Sequence, residues 1–166
     1  MTHSNRAYSK YLKLFWITGI IVIFDQLTKA VVMDFLPLYQ SKPVIAGFFS
    51  ITHIHNPGGA FGFLASQGPI LRLLVFFLAA VLAMGVVFYL YGKTYKTHPL
   101  LNTSLAFIFG GAAGNLIDRI RFGRVVDFLD FYIGNFHWPA FNIADSAISI
   151  GIVIFLYHVI FNKMPG

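Results

Sequence analysis

Apolar positions in this chain are gathered into four long runs, from about Leu14 to Met33, Ile70 to Tyr91, Pro99 to Ile117 and Phe141 to Phe161. Each run is close to the ~20 residues with which a helix crosses the hydrocarbon core of a bilayer. The pattern predicts an all-α membrane protein with transmembrane spans at about 14–33, 70–91, 99–117 and 141–161, built as a single integral membrane domain over residues 1–166. The second run is the cleanest, since Leu73 to Tyr91 holds no charge, whereas the first and fourth enclose Asp25 and Asp145.

Two connections are long enough to carry structure of their own, 34–69 and 119–137. Phe48 to His55 (FFSITHIH) is rich in β-branched and aromatic residues with partial alternation, which predicts an extramembrane strand. In the second connection Val125, Phe128, Leu129 and Tyr132 have helical spacing that suits a short interfacial helix, with a register ambiguous with a strand. At the N-terminus Arg6, Lys10 and Lys13 precede an apolar run, as in a secretory leader. Phe24 is followed by Asp25-Gln26-Leu27-Thr28-Lys29 where small residues would mark a cleavage site, so the segment is expected to stay as an anchor.

Composition agrees with lipid as the solvent, with 57% apolar residues and 11% charged, against roughly 25% charged in soluble domains. Without cysteine the chain has no disulfide and no thiolate chemistry. The net charge of +6 is scattered, with no basic stripe and no interleaved stacking platform, so no nucleic-acid partner is expected. Orientation is nearly balanced. With the N-terminus inside, Arg6, Lys10, Lys13, Lys93, Lys96 and Lys163 face the cytoplasm, and Lys29, Lys42, Arg72, Arg119, Arg121 and Arg124 face outward. Weighting the flanks of the first span favours both termini in the cytoplasm.

Chain parity then locates the chemistry. Four consecutive spans bring the end of the first, the end of the third and the start of the fourth to one membrane face. Asp25, Asp34, Asp118, Asp127, Asp130 and Asp145 are the six acids of the chain, and all fall at that face with Asn115 and Asn142. An ionised Asp at a helix centre costs ~2.5–3.5 kcal/mol on insertion scales, so buried acids need partners, water or a shared proton. Plain structural roles exist for some of them. Asp25 and Lys29 are spaced i,i+4 for an ion pair, Asp118 adjoins Arg119, and Asp130 and Asp34 read as solvated.

Asp127 and Asp145 resist that reading, because no basic residue lies near Asp145 in sequence and Asn142 shares its helix face at i−3. Two carboxyls brought together share a proton, and one can serve as base on a water while the other serves as acid. G-x-S-x-G is absent, and the lack of Glu excludes H-E-x-x-H. His53 and His55 are better explained by strand alternation than by a metal, and no metal or cofactor is expected. A Ser/Lys dyad would need Lys29, but Thr28 beside it points elsewhere on a helix, and His158 lies far from the cluster. Ala106, Gly110 and Gly114 form a small-residue ridge for helix packing, with Gly111, Asn115 and Asp118 on the neighbouring face. Asn56-Pro57-Gly58-Gly59-Ala60-Phe61 reads as a loop by its Pro and Gly, either a plain turn or one that lays an Asn and free backbone groups against a substrate.

Taken together the motifs resemble the bacterial lipoprotein signal peptidase (signal peptidase II) family. The matching segments are DQLTK at Asp25–Lys29, NPGGAFGF at Asn56–Phe63, GGAAGNLIDR at Gly110–Arg119, GRVVDFLDF at Gly123–Phe131 and WPAFNIADS at Trp138–Ser146. They occur in the family's order, with Pro57 where the family more often has Thr. The resemblance implies an aspartic endopeptidase of the bacterial cytoplasmic (inner) membrane, with its active site near the outer face. It implies removal of signal peptides from diacylglyceryl-modified prolipoproteins, just before the lipidated cysteine. By the same resemblance Asp127 and Asp145 match the catalytic dyad, and Asn56, Asn115, Arg119 and Asn142 match the polar residues around it. Asp25 and Lys29 match the first-helix motif, while Gly58 and Asp118 join the supporting set.

The expected partners are lipid-modified prolipoproteins and membrane lipid, with the protein acting as a monomer. A diacylated substrate already resides in the outer leaflet and would reach a site at that depth by lateral diffusion, and the loop strand and interfacial segment would clamp it from the water side. A proton-coupled transporter is the alternative from another class, and a lipid-binding scaffold is a third. Acids gathered at one face, rather than spread across the midplane, count against transport.

Overall fold

A computed structural model describes residues 3–58, 64, 66–95 and 97–161, with side chains from residue 11 onward. Among the described residues four helices are long and apolar enough to cross a membrane. They are α1 (His3–Phe35), α2 (Pro69–Thr94), α3 (Pro99–Phe122) and α4 (Ile143–Phe161). Four strands, β1 (Ser41–Ile45), β2 (Phe49–Asn56), β3 (Val125–Ile133) and β4 (Phe136–His137), form an antiparallel sheet in sequence order. The expected all-α membrane architecture with a small β element is therefore what the chain adopts.

Local chemistry explains several helix ends. Both α2 and α3 begin with Pro in the first turn, where a missing N–H costs nothing. Gly123 closes α3 at φ 69°, returning its N–H to Arg119 O across 2.9 Å. That left-handed cap favours glycine and turns the chain into β3. α3 thus runs past the expected end at residue 117, so Asp118, Arg119 and Arg121 are helical.

The segment whose spacing suits an interfacial helix but leaves a strand open is strand β3. Its first four residues are all buried, so apolar side chains fall on both faces and imitate helical spacing. The expected strand at 48–55 is β2, paired with β3 in the register Ile54↔Asp127 and Asn56↔Val125. The last span starts at Ile143 rather than 141, because Phe141 pairs with β3. Its carbonyl accepts from the N–H groups of Phe128 and Leu129, at 3.0 and 2.8 Å, and its own N–H donates to Leu129 O at 3.1 Å.

Among the four helices α3 is central, half-buried over its apolar window where α2 is only 6% buried, and it packs against the other three. Glycines set the approach. A Cβ on Gly110 would meet Ile21 and Thr18 of α1, and one on Gly111 would meet the Ala144 carbonyl and Ile148 of α4. The small-residue ridge therefore splits, one stripe serving α1 and the other α4. Gly151 of α4 faces Ser104 and Ile108 in the same way. At the other end of the bundle Leu14, Tyr91, Leu101 and Leu105 form a buried cluster, and the His158 ring sits edge-on to His98 with centroids 4.9 Å apart.

Candidate active site

The acids expected at one face converge to different degrees. Asp25, Asp118, Asp127 and Asp145 join one hydrogen-bonded network with Lys29, Asn56, Asn115 and Asn142. Asp34 is exposed, as expected. Asp130 is not solvated; it is buried on β3 and accepts from His137 Nδ1 at 2.9 Å.

The network begins at the start of α4. Asn142, the residue before the helix, accepts the Asp145 N–H on Oδ1 at 2.9 Å, and its own N–H donates to Asp145 Oδ2 at 3.3 Å. This reciprocal arrangement is a capping box, which satisfies donors that an open helix end would leave orphaned. A further free donor of that end, Ala144 N–H, is taken by Asp25 Oδ1 of α1 at 2.9 Å. The side-chain amide of Asn142 then turns toward β3, donating to Asp127 Oδ1 at 2.8 Å, with Val126 O and Asn115 Oδ1 both 3.2 Å away.

Each remaining carboxylate oxygen also has a donor. Asp127 Oδ2 accepts from Asn56 Nδ2 at 3.1 Å, and Asp145 Oδ1 accepts from Asn115 Nδ2 at 2.7 Å. Asn56 is held by the Gly58 N–H, which donates to its Oδ1 at 3.0 Å in an Asx turn. Of the segment Asn56–Phe63, residues 59–63 lie outside the described part.

Beneath the pair, Lys29 is buried, with its ammonium 2.8 Å from both Asp25 Oδ2 and Asp118 Oδ2. The expected i,i+4 pair forms, with both partners buried. The expected Asp118–Arg119 pair does not. Neighbours on a helix diverge by about 100°, so Asp118 turns inward to Lys29 and to the Val126 N–H at 3.1 Å. Arg119 instead lies over the Phe76 ring at 4.8 Å. Thr28 Oγ1 donates back to Phe24 O at 2.8 Å, away from Lys29.

Burial pushes the Asp127 carboxyl from its ordinary 3.8 up to about 7, the Asp145 charge adding to the rise while Asn56 and Asn142 oppose it. A carboxyl tuned to that range can hold or release a proton near neutral pH.

The two carboxyls open onto a cavity of about 520 Å³, lined also by Asn56, Gly58, Asn115 and Arg119. Its other wall comes from Trp138, Pro139, Ala140 and Phe141, and from Ser146, Ile148, Ser149 and Ile150 of α4. Gln26 was not singled out from sequence. It donates to Asp118 Oδ1 at 2.8 Å and Gly114 O at 3.3 Å, and accepts from Arg121. Its polarity inside an apolar run was the available signal. His53 and His55 lie on β2 with their Nε2 atoms 3.2 Å apart, His53 Nδ1 being 2.7 Å from Leu36 O. Burial, with Arg124 nearby, holds His55 below the usual imidazole range.

A membrane-spanning bundle with a buried and a half-buried carboxyl, both clamped by amides on a cleft, defines the class: a polytopic membrane enzyme of the aspartic protease type. Residues 17–161 match the family described as signal peptidase (SPase) II, and the chain belongs to that family. It is 56% identical to the lipoprotein signal peptidase of Desulforapulum autotrophicum, over 93% of this chain and 95% of that one. With the lipoprotein signal peptidase of Syntrophus aciditrophicus it shares 49% identity, over 91% and 94% of the two chains. A solved bacterial membrane enzyme superposes with a TM-score of 0.79 at 31% identity, covering 93% of each chain.

Proposed function

We propose that this protein removes the signal peptide from diacylglyceryl-modified prolipoproteins, cutting just before the lipidated cysteine, with Asp127 and Asp145 as the catalytic pair. The observation that carries the reading is the bridge through Asn142, whose side-chain amide meets Asp127 while its backbone N–H meets Asp145. Family membership supports the reaction class.

In this reading Asp127, tuned to about 7, carries the shared proton. Asp145 is the carboxylate that draws a proton from water as the water oxygen bonds to the scissile carbonyl carbon. Asp127 gives its proton to the carbonyl oxygen. On collapse the C–N bond breaks, Asp145 passes its proton to the leaving amine, and Asp127 recovers one from the tetrahedral hydroxyl. Arg119 and Asn56 at the cavity wall would hold the peptide backbone. The sheet of β2 and β3 would cover it from the water side. With both termini cytoplasmic, the site lies near the outer membrane face, where acyl chains fix the depth of the cysteine at ~0.8 kcal/mol per buried CH₂.

The test is cleavage by the purified protein in lipid. A diacylglyceryl-modified precursor should be cut before its cysteine and the unmodified precursor should not. Equal cleavage of both, or of neither, removes the proposal.

A further inference from the structure

Resting on the assignment of Asp127 and Asp145, we propose that Lys29 is a positioning residue for the reaction, acting through Asn115 on Asp145. Lys29 does not touch the Asp145 carboxyl. Its ammonium lies 3.2 Å from Asn115 Oδ1, which also faces Asn142 Nδ2 at 3.2 Å. With Oδ1 held by these donors, Asn115 must direct Nδ2 at Asp145 Oδ1, 2.7 Å away.

An amide is nearly symmetric in shape, so packing alone leaves its two orientations close in energy, and the partners decide between them. In the reversed orientation Nδ2 would face an ammonium and another amide NH₂, and Oδ1 would face a carboxylate. Every contact would then pair like with like in a site where Lys29, Asp25, Asp118 and Asn142 are all buried. Such mispairing is costly where solvent cannot screen it.

Asp25 and Asp118 in turn hold Lys29, each at 2.8 Å. A hydrogen-bonded path thus runs from the α1 motif to the start of α4: Asp25 and Asp118 to Lys29, Lys29 to Asn115, Asn115 to Asp145. The charged groups gathered about this path are Asp25 and Lys29 on α1, Asp118 and Arg119 on α3, Asp127 on β3 and Asp145 on α4, with His55 of β2 near Asp118. Among the described residues Lys29 is the fully buried cation of this group.

The experiment is the pH dependence of kcat and KM for cleavage of a lipidated precursor by wild type, Lys29→Met, Asn115→Leu and the double variant. Either change withdraws positive charge or donated hydrogen from the Asp145 carboxylate, so this base takes up a proton at a higher pH. Each single variant should lower kcat with little change in KM. Each should also displace the acid limb, where Asp145 becomes protonated, upward by about one pH unit, the size of effect that one lost neighbouring charge or hydrogen bond has. Since Lys29 acts through Asn115, the double variant should move the limb by much less than the sum of the two.

A purely structural lysine would reduce the amount of folded enzyme and leave the limb of the remainder in place; that result overturns the inference. If Lys29→Met does not accumulate, Asn115→Leu, which keeps the Lys29 ion pairs, decides alone, and a wild-type limb in that variant overturns it. Full cleavage by Asp127→Asn or Asp145→Asn would instead remove the underlying assignment, so the two failures are separable.

Discussion

Asn142 donates its side-chain amide to Asp127 across 2.8 Å while remaining the first cap of the helix that carries Asp145. One residue thereby couples the folding of a helix end to the spacing of two carboxyls. The two duties separate by substitution. Asn142→Ala should lose both, costing about 1 kcal/mol of stability for the cap and on the order of 10²-fold in kcat for the misplaced pair. Asn142→Ser, whose hydroxyl can cap but cannot reach as an amide does, should recover thermal stability without recovering kcat. Thermal unfolding in detergent and steady-state cleavage read the two effects; joint recovery by Ser would separate Asn142 from the pair.

Asp127→Asn and Asp145→Asn should each reduce cleavage by about 10²–10⁴-fold or more, the range that positioned acids and bases contribute. Both proteins should still fold, since an amide nearly matches the volume of a carboxyl. Cleavage and circular dichroism on the same preparations check this, and retained turnover in either variant contradicts the assignment.

Burial gives Asp127 a predictable pH signature. Its carboxyl is raised from 3.8 to about 7, so between those values the folded protein binds a proton that the unfolded chain has released. Stability contributed by this group is therefore fully present at low pH and is lost as pH rises toward and through about 7. Activity that needs the proton should fall over the same upper range. Melting temperatures of wild type should decline from pH 5 to pH 8 more steeply than those of Asp127→Asn, and parallel curves would contradict the argument.

The contact between α3 and α4 should be intolerant of one methyl group. Gly111→Ala places a Cβ against the Ala144 carbonyl, a backbone atom that cannot swing aside. Overpacking of this kind costs about 1–3 kcal/mol, and Ala144 lies one residue from Asp145, so cleavage should fall with stability. Gly123→Ala meets no neighbour and instead strains a left-handed cap at φ 69°. That should cost roughly 1–2 kcal/mol. Chemical denaturation in mixed micelles ranks the two.

Asp25→Ala removes the acceptor of Ala144 N–H and one partner of the buried Lys29. Breaking a buried pair costs about 3–5 kcal/mol because the remaining charge is left uncompensated. Asp118 still contacts Lys29 at 2.8 Å, so the loss should sit at the lower end of that range. Thermal unfolding measures it, and a change within experimental scatter would show that Asp118 alone suffices.

What the sequence determined by itself was the apolar character of each span and the gathering of the site's polar residues at one end of the bundle. Span length against bilayer thickness is a one-dimensional criterion, and parity carries Asp25, Asn115, Asn142 and Asp145 to one face without any contact being known. The β2 strand was legible for a similar reason, because alternation is local. Which polar groups meet was decided only by tertiary structure. Asp118 chose Lys29 over its neighbour Arg119 because helix geometry turns adjacent residues apart. Strand β3 was hidden behind helical spacing because both its faces are buried. Asp127 reaches the α4 cap because Phe141 pairs with Leu129, a long-range backbone contact with no signature in side-chain order. The approach of two acids depends on the angle and depth at which α3, α4 and the sheet pack, and those follow from glycines meeting particular backbone atoms rather than from any periodicity along the chain.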